Sequence, residues 1–237
     1  MDIKTSETPE AVAETIAADF EAFVQETLLR QDKVAVALAG GATPKLFYSR
    51  LTQEPYRSAI PWGKLWIFWG DERCVPPDHS DSNFHMVKEA LLDHVSILPS
   101  HVARMRGEDP PPESARAYEK ILRDFYPGQS WPHFDLILLG LGPDGHTASL
   151  IPGTPALIEH GDRWVVGNVV RSLQTVRITL TLPAINQARQ IWFLVTGAKK
   201  KEVFAKMQQG PDPQCPASLI KPETGTLRAY VDKAVVI

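Results

Sequence analysis

Cysteine is nearly absent from this 237-residue chain: only Cys74 and Cys215 occur, and neither belongs to a CxxC pair. That excludes a disulfide framework and a cysteine-rich zinc module, and it fits a reducing compartment. Long apolar runs are also missing. No stretch approaches the ~18 residues of a membrane span, and the N-terminal MDIKTSETPEAVAETIAADF lacks the apolar core of a signal peptide. The expectation is a soluble cytoplasmic protein with no membrane partner. An excess of charge of one sign is missing as well. Lys and Arg total 25 against 28 Asp and Glu, a formal charge of −3. Composition therefore argues against a dedicated nucleic-acid or anionic-surface binder, and any anion site must be local. There is no internal repeat and no low-complexity tract.

What is present is ordinary globular usage, 43% hydrophobic and 22% charged, which excludes disorder. A chain of this length buries about 70–75% of its unfolded surface when it folds as one unit. It needs no metal or disulfide staple, and we expect a single domain over residues 1–237.

Residues 8–30 read as a helix, with Pro9 at its first position and Val12, Ile16, Phe20, Phe23 and Leu28 on one face. KVAVALA (33–39) is short, apolar and partly β-branched, which is the pattern of a strand buried on both faces. Gly40 and Gly41 break it, and a helix follows with Thr43 as N-cap and Pro44 as its first residue. LWIFWG (65–70) predicts a second strand, and Ser82 predicts the cap of a helix carrying Phe84, Val87, Leu91 and Val95. Residues 107–112 read as a connector and 113–126 as a helix. FDLILLGLG (134–142) is the strongest strand signal, and TASLI after it reads as a short helix. WVVGNVV (164–170), VRITLTL (176–182) and IWFLVTG (191–197) are further strands. A helix over 198–208, a Pro-rich stretch over 211–222 and a strand near 228–236 complete the pattern. Apolar strands alternating with amphipathic helices predict an α/β fold of three layers. Its mostly parallel, open, doubly wound sheet carries helices on both faces.

Ligands of such sheets bind beyond the carboxyl ends of the strands. Three polar clusters fall there: 40–45, 71–73 and 143–147. In the first, Gly40 and Gly41 let backbone approach a ligand, a helix N-terminus favours an anion, and Thr43 adds a hydroxyl. The spacing is neither GxGxxG nor Walker A, so the alternative is a tight turn that binds nothing. In the second, Asp71, Glu72 and Arg73 end a strand. One of them is an anion ligand or a transition-state partner and another holds Arg73 through a paired carboxylate, unless the three form a solvated loop. Cys74 beside them reads as a small apolar filler, although its thiol next to Arg73 raises the question of oxidant sensitivity. In the third, His146 stands at the mouth of the sheet at an expected helix N-terminus, whose dipole would keep the imidazole neutral as a base. Asp144 is near enough to orient it.

Arg177 begins a strand and reaches its end or lies exposed. Of Lys199, Lys200 and Lys201, two read as a solvated face and one as facing the pocket. The remaining histidines (His79, His85, His94, His101, His133 and His160) lack metal-ligand spacing, so no metal is expected.

Three blocks, ALAGGATPK, FWGDERCVPPDHSDSNF and LILLGLGPDGHTASLIPGTP, together with VRITLTLPAINQARQIWFLVTGAKKKEVF, resemble the 6-phosphogluconolactonases, within the wider family that includes glucosamine-6-phosphate deaminases. The likeness extends from about residue 10 to residue 232. It implies the sugar-phosphate isomerase/deaminase fold. It also implies hydrolysis of 6-phospho-D-glucono-1,5-lactone in the oxidative pentose phosphate pathway, with no organic or metal cofactor and with functional coupling to glucose-6-phosphate dehydrogenase. His146 would then be the base, Asp144 its orienting partner, and Arg73 or nearby backbone N–H groups the oxyanion partner. Gly40, Gly41, Thr43, Arg177 and Lys200 would hold phosphate, Asn83 would meet the sugar hydroxyls, and Asp71 would be among the substrate-binding residues, with the essential carboxylate left open among Asp71, Glu72 and Asp144. Lys200 is chosen over its neighbours because it matches the family's lysine after the TG turn. Deaminases carry a pattern like DGHIAFNEP, whose Glu handles a proton. Here Ser149 and Leu150 occupy that region, so the lactonase branch is preferred. A deaminase or isomerase of amino-sugar phosphates, and a non-catalytic sugar-phosphate sensor, are the competing readings.

Overall fold

The computed structural model describes residues 1–159, 161–170 and 174–236. Its larger sheet is parallel throughout, with strand order β1-β9-β8-β5-β2-β3. These strands are β1 (Asp2–Ser6), β2 (Val34–Leu38), β3 (Leu65–Trp69), β5 (Leu136–Leu139), β8 (Gln190–Val195) and β9 (Thr226–Asp232). Every residue of β2 and β5 is buried, as their unbroken apolar sequences require of central strands covered on both faces.

Two rows of side chains identify the layers. Phe68 is in register with Ala37, and Ala37 with Ile137. Phe68 meets Phe125 at the end of α5 (Pro111–Phe125) with ring centroids 5.0 Å apart. Trp192 is one residue out of phase and so points the other way. It meets Phe23 of α1 (Pro9–Leu28) at 5.8 Å. Helices α1 and α5 therefore cover opposite faces, giving the three-layer α/β fold. Helix α2 (Ala42–Leu51) packs against α1 through Phe47 and Phe20, and α4 (Asn83–Ala90) sits on the same side, Phe84 against Trp69. The short α3 (Tyr56–Ala59) lies between α2 and β3 in the chain.

The strands near 164–170 and 176–182 are real but do not join this sheet. As β6 (Val165–Val170) and β7 (Thr175–Leu180) they pair antiparallel with each other, and β7 pairs antiparallel with β4 (Asp71–Arg73). The Asp71–Arg73 triplet is thus a strand of a second sheet, not a solvated loop. Gly70 joins the two sheets: its N–H donates to Leu38 O at 3.0 Å and its carbonyl accepts from Leu180 N at 2.9 Å.

Other boundaries differ for local reasons. Gly41, at φ +112°, is the N-cap of α2, and Thr43 lies inside the first turn with no capping bond. TASLI is not a helix: Thr147 and Leu150 form an isolated antiparallel bridge, with Ala148 left-handed at φ +46°. Ser82 does cap α4, accepting from His85 N at 3.1 Å, but the helix ends before Leu91 and Val95. The 107–112 connector gives up its last two residues to α5. Residues 198–208 divide into a 3₁₀ turn (Ala198–Lys200) and α7 (Lys201–Met207). After α6 (Leu182–Asn186) and β8, the Pro-rich stretch holds a 3₁₀ turn (Pro216–Leu219). The last strand stops at Asp232, where α8 (Lys233–Val236) begins. Among the described residues, no helix is long and apolar enough to cross a membrane.

Candidate active site

The chain leaves β2 toward β3 on one side, and β5 lies on β2's other side. The C-terminal ends of β2 and β5 therefore flank the point where strand order reverses, the place where open α/β sheets bind ligands. A cavity of about 360 Å³ opens there, large enough for one small ligand. It receives Gly40, Gly41 and Thr43 after β2, Asp71 and Arg73 from β4, Asn83 from α4, His146 after β5, Arg177 from β7 and Lys200 before α7. Asp144 does not line the cavity but contacts His146. The other site residues expected from the sequence line one cavity, although as many as 160 positions separate Gly40 from Lys200.

His146 Nδ1 lies 2.5 Å from Asp144 Oδ1, and the same oxygen accepts from the His146 backbone N–H at 3.2 Å. Partial burial pushes the Asp144 carboxyl up, but the His146 ring and N–H outweigh this, and it ionises below the usual carboxylate range. An ionised carboxylate can only accept, so Nδ1 carries a ring proton, and in the neutral imidazole the lone pair is then on Nε2. The expected helix dipole plays no part, because no helix starts here. The ring lies over Gly142, whose missing side chain makes its space: a Cβ there would stand 2.2 Å from Nδ1 and Cε1. The turn also uses its own backbone donors. Gly142 N donates to His146 O, and Gly145 N to Gly142 O.

Arg73 and Arg177 face each other across the β4–β7 ladder. Like charges directly opposite are unfavourable. Burial lowers the Arg177 pKa, and Arg73 lowers it further. Arg73 Nη1 donates to Asp81 O at 2.6 Å. The buried Nε atoms of both arginines have no hydrogen-bond partner among the described residues. Two guanidiniums with spare donors at one cavity wall form an anion-attracting surface. The start of α2 forms another, because Ala42 and Thr43 present first-turn N–H groups. Thr43 Oγ1 is 2.7 Å from Thr196 Oγ1. Lys200 Nζ donates to Leu141 O at 2.7 Å, and burial lowers its pKa. Lys199 and Lys201 are exposed, as expected of two of the three lysines.

The two carboxylates of β4 have different tasks. Glu72 is 2% exposed. It accepts from the backbone N–H groups of Arg73, Asn83 and Phe84 and from Ser82 Oγ. It therefore joins β4 to the start of α4 and does not pair with the Arg73 guanidinium; burial raises its pKa. Asp71 lines the cavity. Its Oδ2 accepts from Ser149 Oγ at 2.6 Å, and Asn83 Nδ2 donates to its backbone oxygen at 2.9 Å. Asn83 lies so close to Gly40 that a Cβ on Gly40 would fall 1.8 Å from Asn83 Oδ1.

Ser149 was missed as a site residue because nothing local ties it to Asp71, 78 positions away. Thr196 carried a usable signal, since it follows a strand as the other clusters do. Cys74 is half-buried against the core, and burial raises its thiol to about 11, which removes the thiolate needed for oxidant sensitivity at neutral pH. No group of three or more His, Cys, Asp or Glu side chains suited to a metal occurs among the described residues. His160 lies outside them.

Similarity to known proteins agrees with this geometry. Residues 7–229 match the family described as glucosamine-6-phosphate isomerases/6-phosphogluconolactonase. A 6-phosphogluconolactonase of Synechocystis is 44% identical over 208 residues, covering 84% of this chain and 82% of that protein. One from Haemophilus influenzae is 38% identical over 205 residues, covering 86% of each. The solved 6-phosphogluconolactonase of Trypanosoma brucei superposes with a TM-score of 0.87 at 32% identity, over 99% of this chain and 97% of that one. The chain belongs to the family of glucosamine-6-phosphate isomerases and 6-phosphogluconolactonases.

Proposed function

We propose that this protein is a lactone hydrolase converting 6-phospho-D-glucono-1,5-lactone to 6-phospho-D-gluconate, with His146 as its general base. The observation that carries the base assignment is the Asp144–His146 pair at a cavity whose walls attract anions. The substrate is an activated ester bearing a phosphate, so it needs a base, an oxyanion partner and an anion grip, and little else.

His146 Nε2 takes a proton from the water that attacks C1. The C–O bond forms and the carbonyl electrons move onto oxygen, where Arg73 meets the developing charge. The turn's N–H groups of Gly142, Gly145 and His146 are engaged within the turn. That leaves the guanidinium as the better oxyanion partner. The intermediate collapses by breaking the bond from C1 to the ring oxygen, which receives the proton back from His146. Asp144 holds the imidazole in the tautomer that allows both transfers. Gly40, Gly41 and Thr43, with Arg177 and Lys200, hold the phosphate, while Asp71 and Asn83 face the sugar hydroxyls. The protein would work as one α/β unit in the cytoplasm, downstream of the dehydrogenase that makes the lactone from glucose 6-phosphate.

The test generates lactone with glucose-6-phosphate dehydrogenase and reports its hydrolysis with 6-phosphogluconate dehydrogenase. The wild type should exceed the spontaneous rate. His146→Ala should lose about 10²-fold or more in kcat. Arg177→Ala should raise KM for the phosphorylated lactone and leave unphosphorylated glucono-1,5-lactone nearly unaffected. An active His146→Ala removes the base. No acceleration by the wild type removes the lactonase reading and leads to ammonia release from glucosamine 6-phosphate, then to binding without turnover.

A further inference from the structure

The turn that presents His146 is braced by a segment some 70 residues later in the chain. The Ala217 N–H donates to Gly145 O at 2.9 Å. Cys215 packs against the Gly145 Cα so closely that a Cβ on Gly145 would lie 2.8 Å from Cys215 Sγ and 2.9 Å from Cys215 Cα. Gly145 is left-handed at φ +83°, so its backbone has turned its bare side toward the cysteine. Cys215 is fully buried. The segment is itself closed on short bonds: Asp212 N donates to Ser218 Oγ at 2.8 Å, and Cys215 N to Asp212 O at 2.8 Å. Lys206 of α7 adds an ion pair to Asp212 at 3.1 Å. A surface loop with no task would not need this closure, nor a backbone-to-backbone approach at the residue between Asp144 and His146.

We infer that residues 212–218 form a strap that fixes the Asp144–Gly145–His146 turn, with Cys215 as a positioning residue for the base. The inference rests on the reading of His146 as that base. The strap bears on Gly145, and none of residues 212–218 is among those lining the cavity. Its disturbance therefore moves the imidazole relative to bound substrate while leaving substrate affinity intact. A displacement of about 1 Å is enough to cost on the order of 10²-fold in rate.

The test is a set of variants assayed for kcat, KM and the pH dependence of kcat, with thermal unfolding beside them. Cys215→Leu pushes on Gly145 and should lower kcat at least about 10-fold with KM within about twofold. Loosening the carboxylate from the ring also alters how the Asp144–His146 pair titrates, so the pH profile of kcat should move with it. Cys215→Ser buries a hydroxyl and should lower the melting temperature, but it adds no bulk against Gly145, so its kcat should stay within about threefold of wild type. Should the leucine variant not fold, Ser218→Ala opens the strap without adding bulk, and it should show the same kcat loss and pH shift in smaller measure. Wild-type kcat and pH profile in the folded variants overturn the inference. So does a lowered melting temperature with an unmoved pH profile, which would mean a structural role only. His146→Ala is run in parallel: if it stays active, the base assignment has failed, and if it is inactive while the strap variants are normal, the strap has failed.

Discussion

Replacing Gly142 with alanine tests the imidazole's placement with a single methyl group. The added Cβ would stand 2.2 Å from both Nδ1 and Cε1 of His146 and 2.7 Å from Cγ. Ordinary van der Waals contact begins near 3.4 Å, so the ring must retreat by about 1.2 Å. It cannot do so and keep the 2.5 Å bond to Asp144 Oδ1. A shift of this size is worth on the order of 10²-fold in rate, which is also the lower end of what a general base supplies. Gly142 does not have positive φ, so alanine is free of backbone strain there. The loss of chain entropy in the unfolded state should offset part of the cost of moving the ring. The expected variant is therefore folded, with a melting temperature close to that of wild type, a kcat about 10²-fold lower and a KM within about threefold. The coupled lactone assay and a thermal melt measure all three. A folded Gly142→Ala enzyme with kcat within threefold of wild type would refute the reasoning, since either the ring is not where the chemistry needs it or the chemistry does not need the ring.

Two further outcomes test the fold that carries the site. Tyr118 Oη accepts from Trp69 N at 2.8 Å and donates to Trp69 O at 3.1 Å; Tyr118→Phe orphans both groups at the end of β3. It should cost about 1–3 kcal/mol, read as a melting point lowered by roughly 2–4 °C per kcal/mol. Hydrogen bonds from Arg104, at 2.8 and 2.6 Å, hold Glu108 at about 2, below its ordinary 4.5. A depressed carboxylate stabilises the folded state fully above its unfolded value and loses that contribution as pH falls through the folded one. The stability gap between wild type and Glu108→Gln, measured by urea unfolding, should thus be constant above pH 5 and close toward pH 2; a gap that widens on acidification contradicts the pairing.

Much of the site was readable because each cluster sits immediately after a buried strand. In a parallel sheet every such position opens on the same edge. Gly40, Asp71 and His146 needed only that rule, and their convergence on one cavity follows from it. The errors share a cause. The Thr43 cap and the helix at TASLI were read from local preference, and tertiary contacts decided otherwise. Thr43 turns its hydroxyl to Thr196, and the stretch after His146 is drawn into a bridge where Ser149 reaches Asp71 and Thr179. The separate antiparallel sheet escaped notice because β6 and β7 carry enough β-branched residues to read as strands, and strand preference does not reveal a strand's partner. The first strand, DIKTS, escaped because none of its residues is buried and it has no run of apolar residues to report it.

The sequence by itself determined the α/β class, the central buried strands and the residue types of the site, because burial and strand period act over a few residues. Only the tertiary structure decided which groups meet. It set Arg177 opposite Arg73 through a register between strands about a hundred residues apart. It made Glu72 a structural brace and left Asp71 facing the cavity, a choice made by the alternation of side chains on a three-residue strand. It also brought Cys215 against Gly145. Contacts of that kind depend on how the layers stack and how closely two backbones approach, and no local pattern of residues encodes either.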